Sequence, residues 1–419
     1  MMAQYLTSRL LTWLRWSSAL VVVPLLMFLR FIRPCYAIQV MSTNHQFFGH
    51  LALEPEKYVV TRNMRLAMQE VEFKGDKHWS NLIAGPLGNS GNKVLTLWNF
   101  GDIDAIPNKQ LFEMWKRLLH VVPSFVAGTL IRANRIAPML NISEYRYSSL
   151  LSVDRYLDRS GSNLRFTPEE IDQALVEMRK AGINPKIPWV CLIVRSRNMT
   201  ETDSELRSRS IEDFVEAAEL MAANGVQVVR MGAANSPRLV TNHKSIIDYA
   251  NTGFRTELLD LYLLAHCAFA VSTLSGPDAV CMAFRRPVLY VDIANYALCF
   301  SGTQLTTWVP AVLSLSRTGE RLSLNEAFEC GAGWFWRDSQ FREAGLTVRQ
   351  SSPAEIANYT DEMIQRYVTM ELMNESALQE DYRRVFAKAM GPLGFQWHGE
   401  IRSRISANAL NRDANWFLA

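Results

Sequence analysis

The stretch "FAVSTLSGPDAVCMAFRRPVLYVD", Phe269 to Asp292, decides how the chain is read. A buried strand ends at "AFAV", small and polar residues follow at Ser272, Thr273, Ser275, Gly276 and Asp278, a short helix spans "PDAVCMAF", and "PVLYVD" is a second buried strand. Strands this apolar are covered on both faces, which points to a parallel sheet layered between helices. In such a sheet ligands gather beyond the carboxyl ends of the strands, where this turn falls.

The same signature precedes it. "WVCLIVR" and "VQVVRMG" are strands ending in Arg195 and Arg197 and in Arg230 and Gly232. Between the strands, "SIEDFVEAAELMAANG" and "TELLDLYLLAHC" carry helical stripes. Arginine offers a fixed fork of donors for phosphate oxygens, and Ser, Thr and Gly let backbone N–H groups at a helix start approach an anion. Ser272, Thr273, Ser275 and Gly276, with Arg195, Arg197, Arg230 and Gly232, are therefore the expected diphosphate site. Asp278 has two open readings: a partner for a sugar or ribose hydroxyl, or an acid in the first helical turn, where the dipole favours one, and the second carries more weight.

The first half of the chain repeats the α/β pattern. "AIQVMST" and "KVLTLWNF" are strands; a helix starts at or near His50, and Asn108 to Val122 reads as an amphipathic helix with Leu111, Met114, Trp115, Leu118 and Leu119 on one face. "FKGDKHWSNLIAGPLGNSGNK" between them reads as a surface loop. "TPEEIDQALVEMRKAGINP" has Thr167 as cap, Pro168 at the first helical position, Glu170 closing a capping box and Gly182 as a stop. The domain joint is placed just beyond it, near Asn184 to Pro188. Ser352 to Met390 reads as two helices.

With 419 residues, 48% hydrophobic and 20% charged, the chain is long enough for two cores. The expected layout is a hydrophobic cationic segment over 1–34, a first Rossmann-like domain over 35–185, a second over 186–390, and an extension over 391–419 that could cross back to the first. A net charge of +3 spread over 44 basic and 41 acidic residues argues against nucleic acid as a partner. The six cysteines form no C-x-x-C pair, which reads as buried small hydrophobes in a reducing compartment. No metal is expected: the seven histidines show no H-E-x-x-H, and no P-loop or G-x-S-x-G elbow occurs. Asp102 and Asp104 in "NFGDIDAIPN" imitate a metal-holding Asp-x-Asp pair, a minor reading because the phosphate-friendly strand ends come later in the chain.

The amino terminus is apolar and cationic. Its uncharged run, Trp16 to Leu29, is only about two-thirds of the ~20 residues a spanning helix needs. No small-x-small cleavage site follows it, which disfavours a signal peptide. Arg9, Arg15, Arg30 and Arg33, with Trp13 and Trp16, suit a helix lying on a membrane surface through residues 5–33; the alternative is a helix buried against the protein itself.

The run of "GHLALEPE", "VCLIVRSRN", "GVQVVRMG", "IIDYA", "LLDLYLLAHCAFAVSTLSG" and "RRPVLYVD" resembles a family of bacterial glycosyltransferases of the GT-B type, over about Gly49 to Asp292. The resemblance implies two Rossmann-like domains facing a cleft. It also implies a nucleotide-sugar donor in the second domain, a glycan or lipid-linked acceptor in the first, and work in surface polysaccharide or lipopolysaccharide synthesis without a cofactor. The expected location is the cytoplasmic face of the inner membrane. One departure is plain: family members continue past the first arginine with a tyrosine and an Arg-Asn pair, whereas "RSRNMTETDSELRSRSIEDF" carries Arg207 and Arg209 among serines.

Inverting glycosyl transfer needs a base for the acceptor hydroxyl. His50, beside Gly49 where the first strand gives way to a helix, is the candidate, with a hydrogen-bonded histidine packed at a helix start as the equal alternative. Glu54 and Glu56 are further candidates for the base. Two other functions stay open: a nucleotide-sugar epimerase of the same fold, which the cationic terminus argues against, and a non-catalytic glycan-binding or scaffold protein.

Overall fold

The computed structural model describes residues 2–32, 36–43, 46–70, 93–146, 157, 160–196, 205–233, 236–371 and 376–419. The chain forms two compact units, Met1–Ser149 and Leu150–Ala419. Arg197 and most of the loop expected over 73–93 lie outside the described residues.

In chain order the first unit contains α1 (Met2–Ile32), β1 (Tyr36–Ser42), α2 (Phe48–Glu70), β2 (Lys93–Asn99), α3 (Lys109–Lys116), β3 (His120–Val121), α4 (Ser124–Ile136) and β4 (Ile142–Arg146). Its strands form one parallel sheet in the order β3-β2-β1-β4. From β1 the chain steps outward to β2 and β3 and then returns to the other side of β1, so the switch in strand order falls between β1 and β4.

Two local features hold this unit in shape. Pro55 inside α2 has no N–H to give to the carbonyl four residues back, at Leu51. The indole of the fully buried Trp115 on α3 takes that place, its Nε1 donating to Leu51 O at 2.9 Å. Proline is thereby tolerated in mid-helix, and α3 is pinned to the start of α2. The helix expected over Asn108 to Val122 stops at Lys116, because His120 and Val121 pair with Leu97 and Trp98 at the sheet edge. Asn108 is its cap, accepting from Leu111 N at 2.7 Å.

One face of α1 belongs to the fold: Ala19 is fully buried with Val40, Ala127, Leu130 and Ala133, and Val23 and Leu26 pack against that cluster. Among the described residues no helix is long and apolar enough to cross a membrane.

The second unit contains α5 (Pro168–Lys180), β5 (Trp189–Ile193), α6 (Val215–Ala223), β6 (Gln227–Met231), β7 (Ile246–Ile247), α7 (Glu257–His266), β8 (Ala270–Ser272), α8 (Asp278–Ala283), β9 (Val288–Ile293), β10 (Thr306–Pro310), β11 (Val312–Leu315), α9 (Leu324–Glu329), α10 (Asp338–Glu343), β12 (Leu346–Arg349), α11 (Pro353–Tyr367), α12 (Ala377–His398), β13 (Arg404–Ile405) and α13 (Ala407–Phe417). Seven strands form a parallel sheet in the order β13-β10-β9-β8-β5-β6-β7, and β11 and β12 make a separate antiparallel pair. Every residue of β5, β6, β8 and β9 is buried, as continuous apolar strands between helical layers require. The chain runs from β5 out through β6 to β7, then comes back to β8 on the opposite side of β5. The switch point of this sheet is therefore between β5 and β8.

Two expectations about layout change. The units divide after Ser149, well before the joint expected near Asn184 to Pro188, because α5 packs on α7 of the second unit. Its capping box is as expected: Thr167 accepts from Glu170 N, and Glu170 accepts from Thr167 N at 2.8 Å. Residues 391–419 are grouped with the second unit: β13 extends the sheet beside β10, and α13 packs on α11 and α12. Of the five described cysteines four are buried and Cys330 is exposed.

Candidate functional site

Strand register brings the predicted residues of the second unit to one edge. Ile193 of β5 stands level with Met231 of β6 and with Ser272 of β8, so the residues that follow each strand emerge together. At the switch point the two chain segments are bonded to each other: Arg195 N donates to Thr273 Oγ1 at 3.0 Å, and Thr273 N to Ile193 O at 3.2 Å. The side chain of Arg195 is half-buried at this edge.

The small polar residues after β8 form a closed turn. Ser272 Oγ donates to Asp278 Oδ2 at 2.7 Å, Ser275 N donates to the same oxygen at 2.6 Å, and Leu274 N donates to Ser272 Oγ at 3.1 Å. Leu274 takes φ +63°, a conformation side-chain-bearing residues avoid. Asp278 is therefore the acid of the first helical turn, and it consumes the donors expected to face a diphosphate. Its burial pushes the carboxyl pKa up to about 6 against the lowering effect of Ser272, Ser275, Tyr290 and Arg207. Thr273 is spent on Arg195, while Ser275 and Gly276 remain half-exposed.

Arg230 does something else than expected. Its side chain is 1% exposed and turned into the core, where Nη1 meets Asp248 Oδ1 at 3.4 Å. Asp248 also accepts from Leu239 N and Asn251 Nδ2, so the pair ties the segment after β6 back onto the sheet. Burial lowers the arginine's pKa from its usual position. Gly232 serves this pair: a Cβ there would stand 3.2 Å from Arg230 Nη1. Arg230 is thus engaged inside the fold, whereas Gly232 stays half-exposed beside it.

Arg207 and Arg209, which the sequence marks only as a departure from the resembled family, are given their places by the fold. Arg209 is buried, pairs with Asp292 at the end of β9, and donates to Ser351 O at 2.9 Å. Ser351 in turn donates to Asp292 from both N and Oγ, at 2.9 and 2.6 Å. This clamp, with Arg209 N donating to Arg195 O at 2.9 Å, sets residues 205–214 along the carboxyl edge of the sheet. There the half-buried Arg207 lies close enough for its charge to act on Asp278. Among the described residues, Arg195 and Arg207 are the arginines that follow β5 and are half-buried near this edge.

In the first unit the dyad is clearer. His50 lies in the first turn of α2, after the half-buried Gly49, and its Nδ1 is 2.6 Å from Glu54 Oε1. Glu54 is fully buried, and its other oxygen accepts from Thr43 Oγ1, the residue directly after β1. The i, i+4 spacing puts histidine and carboxylate on one helix face, and Thr43 fixes the carboxylate from the strand end. His50 keeps 35% of its side chain exposed. A ring held at Nδ1 by a buried acid leaves Nε2 to exchange a proton, as in hydrolase triads. Thr43, which the sequence reading missed, joins the dyad to the switch point between β1 and β4. Glu56 is fully buried and Glu54 orients the ring, so neither is the exposed base.

Asp102 and Asp104 are exposed, and Asp102 Oδ1 accepts from Asp104 N at 3.0 Å, capping a single 3₁₀ turn. Among the described residues no three His, Cys, Asp or Glu side chains gather as a ligand set. An open recess of about 560 Å³ is lined by Leu175, Arg179 and Asn184 to Lys186. It sits at the amino end of β5, the wrong edge for ligand binding in an open parallel sheet.

A comparison with protein families finds no match to this chain, and a comparison with curated proteins finds none either. Among solved structures the chain is similar to E. coli ADP-heptose LPS heptosyltransferase II, with 11% identity over 61% of this chain and 84% of that one and a TM-score of 0.36. A glycosyl transferase family 9 structure from Veillonella parvula DSM 2008 shares 10% identity over 61% and 80%, with a TM-score of 0.34. The dodecameric iron-containing heptosyltransferase TibC, in complex with ADP-D-beta-D-heptose, shares 13% over 64% and 59%, with a TM-score of 0.30. At these identities and scores the likeness decides neither fold nor activity.

Proposed function

We propose that the protein is a glycosyltransferase that moves a sugar from a nucleotide-diphosphate donor to a hydroxyl of a glycan or lipid-linked acceptor. The observation that carries the reading is positional. Each unit is a parallel sheet with one switch in strand order, and each switch point holds a polar cluster suited to half of this reaction.

In the second unit the donor diphosphate lies beyond β5 and β8. Arg195 and Arg207 stabilise the charge that develops on the departing nucleoside diphosphate, a task cationic side chains perform without a metal ion. Asp278 holds the turn and keeps Ser275 in place. In the first unit His50, oriented by Glu54 and Thr43, accepts the proton of the attacking hydroxyl. That base makes direct, inverting displacement at the anomeric carbon the expected course.

Calorimetry against a panel of nucleoside diphosphates tests the reading, followed by mass spectrometry of glycolipid extracts incubated with the corresponding nucleotide sugars. Micromolar binding of one diphosphate and a mass gain of one glycosyl unit are expected, with turnover unchanged by a chelator. A chain that binds none of them is not a transferase of this kind.

A further inference from the structure

The first unit carries a surface that its own fold does not use. α1 and α4 lie side by side: Arg132 Nε donates to Arg15 O at 2.9 Å, and the Ser18 and Thr129 hydroxyls meet at 3.2 Å. As α1 advances from 15 to 18 its partners fall from 132 to 129, so the helices run antiparallel. Ala19, Ala127 and Ala133 fill the seam.

Over residues 13–28, the side of α1 away from that seam is exposed and apolar. Trp13, Trp16, Leu20, Val21, Leu25 and Phe28 all stand open, Val21 at 76% and Trp13 at 67%. An unbroken stripe of large apolar side chains on one helix is not ordinary scatter on a soluble surface. α4 and the turn after it add Phe125 and Met139, at 62% and 67%. The antiparallel register sets Phe125 level with Val22, beside the middle of the stripe, and the turn that carries Met139 also packs on α1.

The charge on these two helices has one sign. Neither α1 nor α4 contains an acidic residue. Arg15, Arg132 and Arg135 gather at the seam, where burial and the two neighbouring arginines disfavour the charged form of Arg132. Repulsion among them is relieved by an anion, and two tryptophans on the same helix suit the headgroup layer of a bilayer.

We infer that this composite face of α1 and α4 docks on an anionic lipid bilayer, with α1 lying in the plane of the headgroups and Arg15, Arg132 and Arg135 on lipid phosphates. α1 rests on the surface and does not span it: its uncharged run rises about 21 Å, against roughly 30 Å of hydrocarbon. The inference stands apart from the transferase reading and can fail without it.

Flotation of the full chain with vesicles tests it, using phosphatidylcholine alone and an equimolar mixture with phosphatidylglycerol. Binding to the mixed vesicles only, weakened by added salt, is expected. The exposed pair Arg15→Gln and Arg135→Gln lowers affinity roughly tenfold to thirtyfold. Trp13→Ser with Trp16→Ser, a second and independent variant, abolishes binding while the circular dichroism stays native. Equal binding to both vesicles, or to neither, overturns the inference. So does a dimer in sedimentation velocity that the tryptophan variants convert to monomer, since the face would then belong to a second copy of the chain.

Discussion

Ser272 donates its hydroxyl proton to Asp278 across 2.7 Å, and this one bond changes what the turn after β8 is for. A crowd of small polar residues at a strand end suggests an empty cradle waiting for phosphate. Here the cradle holds its own carboxylate, because Asp278 occupies the place at the helix start that an anion would take. In the proposed reading, charge for a ligand comes instead from Arg195 and Arg207, which follow β5.

The raised pKa of Asp278 makes stability depend on pH. A carboxyl whose pKa is about 6 when folded and about 4 when unfolded binds its proton more tightly in the fold. Its contribution is fully present below about pH 4 and is lost as pH rises through about 6, a change of roughly 2–3 kcal/mol. Urea unfolding of Asp278→Asn across this window is expected to show a shallower pH dependence than the natural chain. Equal slopes would mean that the carboxyl titrates alike in both states.

Arg195→Ala is expected to weaken nucleoside diphosphate binding roughly tenfold to a hundredfold, the range for a charge-assisted hydrogen bond. Its side chain is half-exposed, so the urea midpoint moves little. Calorimetry beside an unfolding curve separates the two effects, and unchanged affinity removes Arg195 from the site.

Arg230→Ala behaves in the opposite way. Taking the cation from Asp248 leaves a carboxylate in a partly buried network, and about 3 kcal/mol of stability goes with it. Any loss of nucleotide binding should then follow the fraction unfolded and disappear at lower temperature. A folded Arg230→Ala protein that fails to bind at every temperature would return this residue to the binding site.

His50→Ala is expected to lower kcat by roughly 10²–10⁴ while donor affinity is retained. Glu54→Gln keeps the shape but not the charge that orients Nδ1, and is expected to lower kcat without changing donor affinity either. Should His50→Ala lose stability instead of turnover, the dyad is a helix-start brace.

Much of the architecture could be read before any coordinates. β1, β5, β6, β8 and β9 announce themselves as short apolar runs, and Thr167, Pro168 and Glu170 mark the start of α5 because caps act within four residues. His50 was legible as a polar residue at a strand exit. Thr43, which completes its dyad, was not, because nothing in "MST" says that the following helix will turn a carboxylate eleven residues on toward it. Arg230 and Arg195 looked alike as arginines at strand ends. Only the approach of Asp248, eighteen residues further along, makes one a core ion pair and leaves the other at the edge.

The sequence by itself determined the strands β1, β2, β5, β6, β8 and β9, the helices α5, α6 and α7, and that the two main sheets are parallel, since periodicity, caps and continuous apolar runs are properties of neighbouring residues. Tertiary structure alone decided where the units divide, why the helix after Asn108 is short, and which polar residues are spent inside the fold. Those outcomes depend on pairings between distant segments, Leu97 with His120, Arg209 with Asp292 and Trp308 with Ile405, and on which side chains the pairings bury. A buried polar group must find its partner wherever the chain brings one, so the identity of that partner is written in the fold and not in the local sequence.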